Sequence, residues 1–402
     1  MKLEDIDLCD AGRFVNGVPH EELTYLRQHA PVFWHKEPKD GRGFWAITKY
    51  TDVVSISRDP ATFSSATGTN IFEVHGEELA TIQSMLINMD PPGHGKYRRL
   101  VNRGFTPRMV AALEPHIRDL TRTIVDNVAR KGTCDFVAEV AAELPLLVIA
   151  EFLGLPEEDR RKVYDWSNRL IGFDDPEFQT DFNDGKLAAM EVWAYASELA
   201  ERRRRAPGDD LVSQLLQGDI DGERLSEKDF TNFFLLLAVA GNETTRNLVA
   251  AGMLALIQHP EERARLLADM SLLPSAVEEM LRWVTPVIHF RRTAQRDVEL
   301  RGQKIAKGDK VVMFYPSANR DEDVFPHPFK FDVGRTPNDH LAFGIGEHFC
   351  MGANLARLEI RLMFEELLTR LPDMELAGPV ERLRSNFIGG VKRMPVRFTP
   401  EK

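Results

Sequence analysis

Between Ser226 and about Ile257 the chain reads as one long helix that is apolar nearly all the way round. Phe230, Phe233, Phe234, Leu235, Leu236, Leu237, Ala238 and Val239 leave no polar stripe along it. A helix of that kind has to be enclosed by other protein, so the rest of the fold must be built around it. Ser226 and Asp229 mark its start with the spacing of a capping box, Asp standing where Glu is preferred. Its longest apolar run, Phe233 to Ala240, is far short of the ~20 residues that cross a bilayer. Helical texture dominates from about Gly93 to Arg282, with breaks near Gly132, at Gly154-Leu155-Pro156, over 172–184 and over 206–223.

Strand-like texture is local. Aromatic and β-branched residues from Pro31 to Thr48 flank Gly41-Arg42-Gly43 and predict a small hairpin. A second β-like region covers 286–318, and Asn386–Gly390 with Pro395–Phe398 predicts a C-terminal hairpin. Residues 64–89 read as a long irregular segment, of the sort that often carries function, and 316–340 as a Pro-rich irregular one. No linker or repeat divides the chain. The expectation is one mainly α domain over residues 1–402, with small β-sheets.

With 402 residues, 43% of them hydrophobic, the chain can bury a large core. A net charge of −11 argues against general nucleic-acid binding and against adsorption to anionic membranes. Three scattered cysteines, Cys9, Cys134 and Cys350, fit a reducing compartment better than a disulfide framework. The acidic N-terminus lacks the apolar core of a signal peptide, so a cytoplasmic location is expected.

Four stretches carry chemistry. Within the long helix, Ala240-Gly241-Asn242-Glu243-Thr244-Thr245 brings an abrupt polar patch. It is either a solvent-facing turn or a buried site, and a buried Glu243 needs a purpose or an Arg partner. The Thr244 hydroxyl can bond back to an upstream carbonyl and open room for a small ligand. After Pro91-Pro92, His94 and Arg98 share one helical face, which suits a dianion. Glu279 and Arg282 are spaced to pair on a helix. Finally, Gly344, Gly346 and Gly352 fence Cys350 just ahead of a helix from Asn354 to about Leu371. A sulfur at a helix mouth is drawn toward thiolate, as a metal ligand must be.

The pattern Phe343-Gly344-x-Gly346-x-His348-x-Cys350-x-Gly352 resembles the haem-binding signature of the cytochromes P450. The other three stretches resemble that family's elements and occur in its order. Departures are slight: Met351 replaces a branched aliphatic and Glu243 the commoner Asp. The resemblance implies a P450 fold around a buried haem b (iron protoporphyrin IX), with Cys350 as proximal thiolate ligand. Phe343 then packs near the sulfur, Gly344 gives the loop its tight path, and His348, His94, Arg98 and Arg292 bind the propionates. The adjacent Arg291 stays open as the alternative to Arg292. Thr244 would hydrogen-bond dioxygen while Glu243 helps relay protons. Glu279, Arg282 and Arg335, the last in Phe331-Asp332-Val333-Gly334-Arg335, would form a structural cluster.

The implied activity is monooxygenation of a bulky apolar substrate (sterol, terpenoid or branched lipid). Residues matching the family's pocket segments are Ile71, Phe72, Leu86, Leu236, Val239, Ala240, Val287, Ile288, Phe387 and Ile388. His75, His289 and Asn386 are candidate polar contacts. The stretches Ala240–Asn247 and Ser385–Lys392 resemble actinobacterial P450s that hydroxylate sterol side chains and methyl-branched lipids. No part of the chain is left for a flavin or iron–sulfur module, so electrons are expected from a ferredoxin and its reductase. The docking surface would include Lys96, Arg99, Arg103, Arg357 and Arg361. A monomer is expected. A peroxide-driven peroxygenase and a non-catalytic haem-thiolate sensor are the alternatives, and Glu243 with Thr244 argues against the peroxygenase.

Overall fold

The structure is a computed structural model. It describes residues 1–38, 41–179, 181, 183–208, 210–220 and 223–402, with side chains for all of these except 103, 220, 223 and 224. Eight helices position the site: α1 Gly93–Asn102, α2 Pro107–Ala129, α3 Glu143–Phe152, α4 Arg160–Ile171, α5 Asp184–Arg205, α6 Glu227–Gln258, α7 Leu273–Val284 and α8 Ala353–Arg370. The long helix is α6. Ser226 caps it by accepting the Asp229 N–H at 3.1 Å. The Asp229 carboxylate accepts the Ser226 hydroxyl and Tyr97 Oη, not the cap's own N–H, so the box is only half closed.

Helices α3, α4, α5, α7 and α8 surround α6, and α8 also lies against α2. The apolar circumference read from the sequence is therefore met on every side. Phe230, Phe234, Val249, Ala250 and Leu256 are each at most 1% exposed and share one core with residues from all these helices. Burying a side chain of Phe or Leu size stabilises by roughly 1.5–3 kcal/mol, which is why α6 organises the rest.

A five-stranded sheet flanks the helices. Its strands are β1 Val32–His35, β2 Phe44–Ile47, β3 Phe63–Ser64, β5 His289–Ala294 and β6 Lys310–Phe314, in the order β1-β2-β6-β5-β3. β1 and β2 are the predicted hairpin. β6 is buried along its whole length and buries alternate residues in two cores, Val311 and Met313 in one, Val312 and Phe314 in the other. β5 pairs antiparallel with β6, setting Arg292 opposite Val311 and Arg291 opposite Val312. That register sends adjacent arginines to opposite faces.

Three local expectations are corrected. Residues 64–89 include a helix, Gly76–Ile82, and the break over 206–223 includes another, Leu211–Gln217. Both are only two turns long, too short for periodicity to show. The C-terminal hairpin joins β8 Glu381–Arg382 to β9 Val391–Arg393, with 386–390 near its tip. The strand β10 Pro395–Arg397 pairs instead with β4 Thr133–Asp135 and β7 Glu375–Leu376. Its partners are distant in sequence and invisible to local pattern.

Candidate active site

The Cys350 loop is shaped by its glycines. Gly346 has φ +77°, and a Cβ there would collide with the Ser57 carbonyl, so only glycine allows the loop to approach that backbone. The Cys350 N–H donates to Phe343 O at 2.9 Å and closes the loop. Arg357 lies 4.6 Å from the Phe343 ring centre and is held there by Glu278 at 2.7 and 2.8 Å. Cys350 is open to the cavity yet enclosed by surrounding protein, which raises the thiol pKa, while the Gly352 N–H, Arg98 and Arg357 act to lower it. A cation at the sulfur is what would displace the proton.

Cys350 lines a cavity that α6 also lines, through Leu236, Ala240, Gly241, Thr244 and Leu248. The Thr244 hydroxyl donates to Ala240 O at 3.0 Å, as expected for a threonine that back-bonds. Two arginines and two histidines, Arg98, Arg292, His94 and His348, all line the cavity. The rings of His94 and His348 are 4.3 Å apart, and Ser65 Oγ lies 3.2 Å from His348 Nε2. Arg98 donates to Glu347 O at 2.8 Å and to Phe349 O.

Burial lowers the pKa of all four groups. For His94 the next cause is Arg98; for His348 it is Arg292, then His94 and Arg98. His94 Nδ1 is buried without a hydrogen-bond partner. Two arginines beside two neutral imidazoles, one with an orphaned nitrogen, are what a bound dianion would satisfy. The propionates of a haem above Cys350 fit that donor set. Arg291 is excluded from it: its guanidinium faces away and donates to the carbonyls of Gly68 and Phe72 at 3.1 Å.

The wider comparisons agree with this geometry. A family profile described as cytochrome P450 matches residues 178–372. A steroid C26-monooxygenase of Rhodococcus jostii is 44% identical over 412 residues, covering 98% of this chain and 85% of that one. A methyl-branched lipid omega-hydroxylase of Mycobacterium tuberculosis is 44% identical over 384 residues, covering 93% and 90%. Among solved structures, a Mycobacterium marinum cytochrome P450 in complex with pseudoionone superposes with a TM-score of 0.91 at 40% identity, covering 98% of both chains. This chain is a cytochrome P450. It is a monooxygenase with a haem cofactor that draws electrons from redox partners and binds apolar substrates.

The Glu279 cluster of this P450 is closed as expected. Arg282 grips Glu279 with two bonds of 2.7 Å, and Arg335 Nε lies 3.1 Å from Glu279 Oε2. Asp332 N and Asn338 Nδ2 also donate to Glu279, while Arg282 donates to the carbonyls of Asn319 and Pro328 at 2.9 Å. The cluster therefore pins the irregular segment before the Cys350 loop to α7.

Four of the predicted pocket residues, Leu86, Leu236, Ala240 and Val287, line the cavity. The other six do not. Ile71 is fully buried in the core on the far face of the sheet, and Phe72 is 43% exposed against Phe173. Val239 leaves the cavity stripe of α6, and Ile288 turns from it toward a second cavity. Phe387 packs on His289 and Phe290, and Ile388 is buried in a bridge to Val287. The polar candidates also lie elsewhere. His75 is exposed, and His289 bonds Asn386 O at 3.0 Å while Asn386 Nδ2 donates to Leu8 O.

Glu243 is 2% exposed and does not line the cavity; it pairs with Arg246 and accepts Asn247 Nδ2 at 3.3 Å. The polar patch is thus buried against α4, where Asn168 accepts Arg246 at 2.9 Å and Asn242 Nδ2 donates to Ser167 at 3.3 Å. The solvent-facing alternative is wrong. Sequence reading missed Glu359, which lines the cavity nine residues after Cys350 with Oε2 unpartnered. The available signal was an acid set between Leu358 and Ile360.

Proposed function

We propose that this P450 hydroxylates a sterol or methyl-branched lipid. The observation that carries this reading is the apolar lining of the cavity that Cys350 shares. Leu86, Leu236, Ala240, Val287 and Phe290 present an apolar surface, and Thr244 and Thr245 supply its hydroxyls. The relatives named above act on substrates of these two classes. Apolar walls orient such a ligand and exclude water, while few polar groups fix its direction.

The cofactor is haem b, with Cys350 Sγ as its ligand and His94, Arg98, Arg292 and His348 on its propionates. When bound it supplies dioxygen activation, placing one oxygen atom in a substrate C–H bond while the other leaves as water. Thr244 Oγ1, which donates its proton to Ala240 O, can accept a hydrogen bond on the cavity wall and so orient the group that delivers a proton there. Glu243, beside Thr244 on α6, keeps Oε2 without a partner but is held by Arg246 off the cavity wall, so any proton relay between the two runs through water. Electrons come from a ferredoxin and its reductase, and the enzyme works as a cytoplasmic monomer. Arg99, exposed on α1, remains a docking candidate. Arg357 and Arg361 already pair with Glu278, Glu114 and Glu365, and the Arg103 side chain lies outside the described ones. Among the described residues no helix is long and apolar enough to cross a membrane.

Titrating the ferric haem-loaded protein with a sterol-3-one or a methyl-branched fatty acid should shift the Soret band toward high spin. Electron donors and O2 should then give hydroxylated product. A shift produced only by small polar compounds would overturn the substrate assignment.

A further inference from the structure

Beyond Leu248 the last turns of α6 line a second cavity of about 260 Å³ that shares no lining residue with the first. Ala251, Leu254 and Ala255 form its floor, the segment from Phe14 to His20 one side, and the β8–β9 hairpin another. Arg320 lines it. This guanidinium is 3% exposed, donates through Nη2 to Trp283 O at 2.8 Å, and stacks 4.7 Å from the Trp283 ring centre. Its Nε and Nη1 are buried and have no acceptor.

Neighbouring buried arginines are served differently. Arg282 has Glu279, and Arg27 has Glu322 at 2.7 Å and Ser317 Oγ at 3.0 Å. Arg320 has no carboxylate within ion-pair distance among the described residues, and no Asp or Glu lines the cavity. Arg382 lines it too, beside Gly17, and again has no ion pair among the described residues. His20 lines it as well, and burial with Arg320, Arg27 and Arg282 nearby holds its pKa well below the usual imidazole range, so it adds a neutral donor or acceptor. Burial, with Arg282 and Arg27 nearby, pushes Arg320 down to about 9, which leaves it charged at neutral pH. A buried cation with unmet donors is costly unless an anion or polar group completes it. Apolar Phe14, Leu254, Val284, Ile288 and Phe329 also line the cavity, together with the polar Asn16, Gln258 and Ser385.

We propose that this cavity binds a monocarboxylate with a short apolar body. The carboxylate accepts from Arg320 and faces Arg382, and the alkyl body lies on Leu254, Val284 and Ile288. The site is separate from the substrate cavity and stands whether or not the substrate is a lipid.

The test uses haem-loaded protein with a bulky azole on the iron, so that the first cavity is filled. Sodium octanoate titrated into it by calorimetry should bind one to one without moving the Soret band. Arg320→Gln should weaken binding by about tenfold or more, as expected for a charged hydrogen-bond partner. Arg382→Gln, nearer the surface and safer for folding, should weaken it several-fold. Octanol should not bind in the same range. Absence of binding to the wild type, equal binding of octanol, or unchanged affinity in folded Arg382→Gln protein would each overturn the proposal. Displacement of octanoate by an equal concentration of chloride would reduce the site to a halide seat and overturn it as well.

Discussion

Glu243 and Arg246, one turn apart on α6, form an ion pair in which neither side chain is more than 4% exposed. The pair turns the acid toward α4 and leaves Thr244 as its neighbour on the cavity wall. The cation is further enclosed by Asn168 and by the Tyr164 ring, 5.3 Å away.

Removing one partner of such a pair strands the other. Arg246→Met should therefore lower the stability of the haem-loaded protein by about 3–5 kcal/mol, and adding Glu243→Gln should restore much of that loss. Urea denaturation of both variants checks this. A single mutant within error of wild type would show that water compensates Glu243.

Thr244→Ala removes the hydroxyl on the cavity wall. Reductant and O2 should still be consumed while peroxide rises and product falls, because the proton donor loses the hydroxyl that positions it. The ratio of product to reductant measures the effect. Unaltered coupling would move the role to Thr245 or to a water.

Cys350→Ala should abolish the long-wavelength Soret band of the reduced, CO-bound protein. The sulfur is the only one on the cavity wall at that loop besides Met351, and a thioether cannot carry the thiolate's charge. The same spectrum in mutant and wild type would end the assignment.

Burial alone pushes the Glu359 carboxyl up to about 8 from an ordinary value of 4.5. Over the interval between these values the folded protein keeps a proton that the unfolded chain has lost. Its contribution to stability is therefore full below about pH 4.5, falls as pH rises, and levels off above about pH 8. Glu359→Gln should flatten that slope, gaining roughly 2–5 kcal/mol at pH 8.5 relative to wild type when both are referenced to pH 4.5. Urea midpoints at the two pH values measure it. Parallel slopes would place the titration elsewhere.

What the sequence by itself determined is local. The enclosure of α6, the Ser226 cap, the glycine-bound Cys350 loop, the shared face of His94 and Arg98, and the Glu279–Arg282 pair all depend on residues a few positions apart. Helical period and backbone sterics act at that range. Arg335 was placed only through the resemblance, since its partner lies 56 residues away. What only the tertiary structure decided is which face each element turns to the cavity. The β5–β6 register chose Arg292 over Arg291, because side chains alternate along a strand and one residue of slip reverses both. The packing of α4 on α6 gave Glu243 its arginine and took it off the cavity wall, a contact that depends on the helices' relative rotation. The same reason removed Ile71, Ile288 and Phe387 from the pocket and left Arg320 buried without a carboxylate: burial is a property of the assembled neighbours, not of the residue.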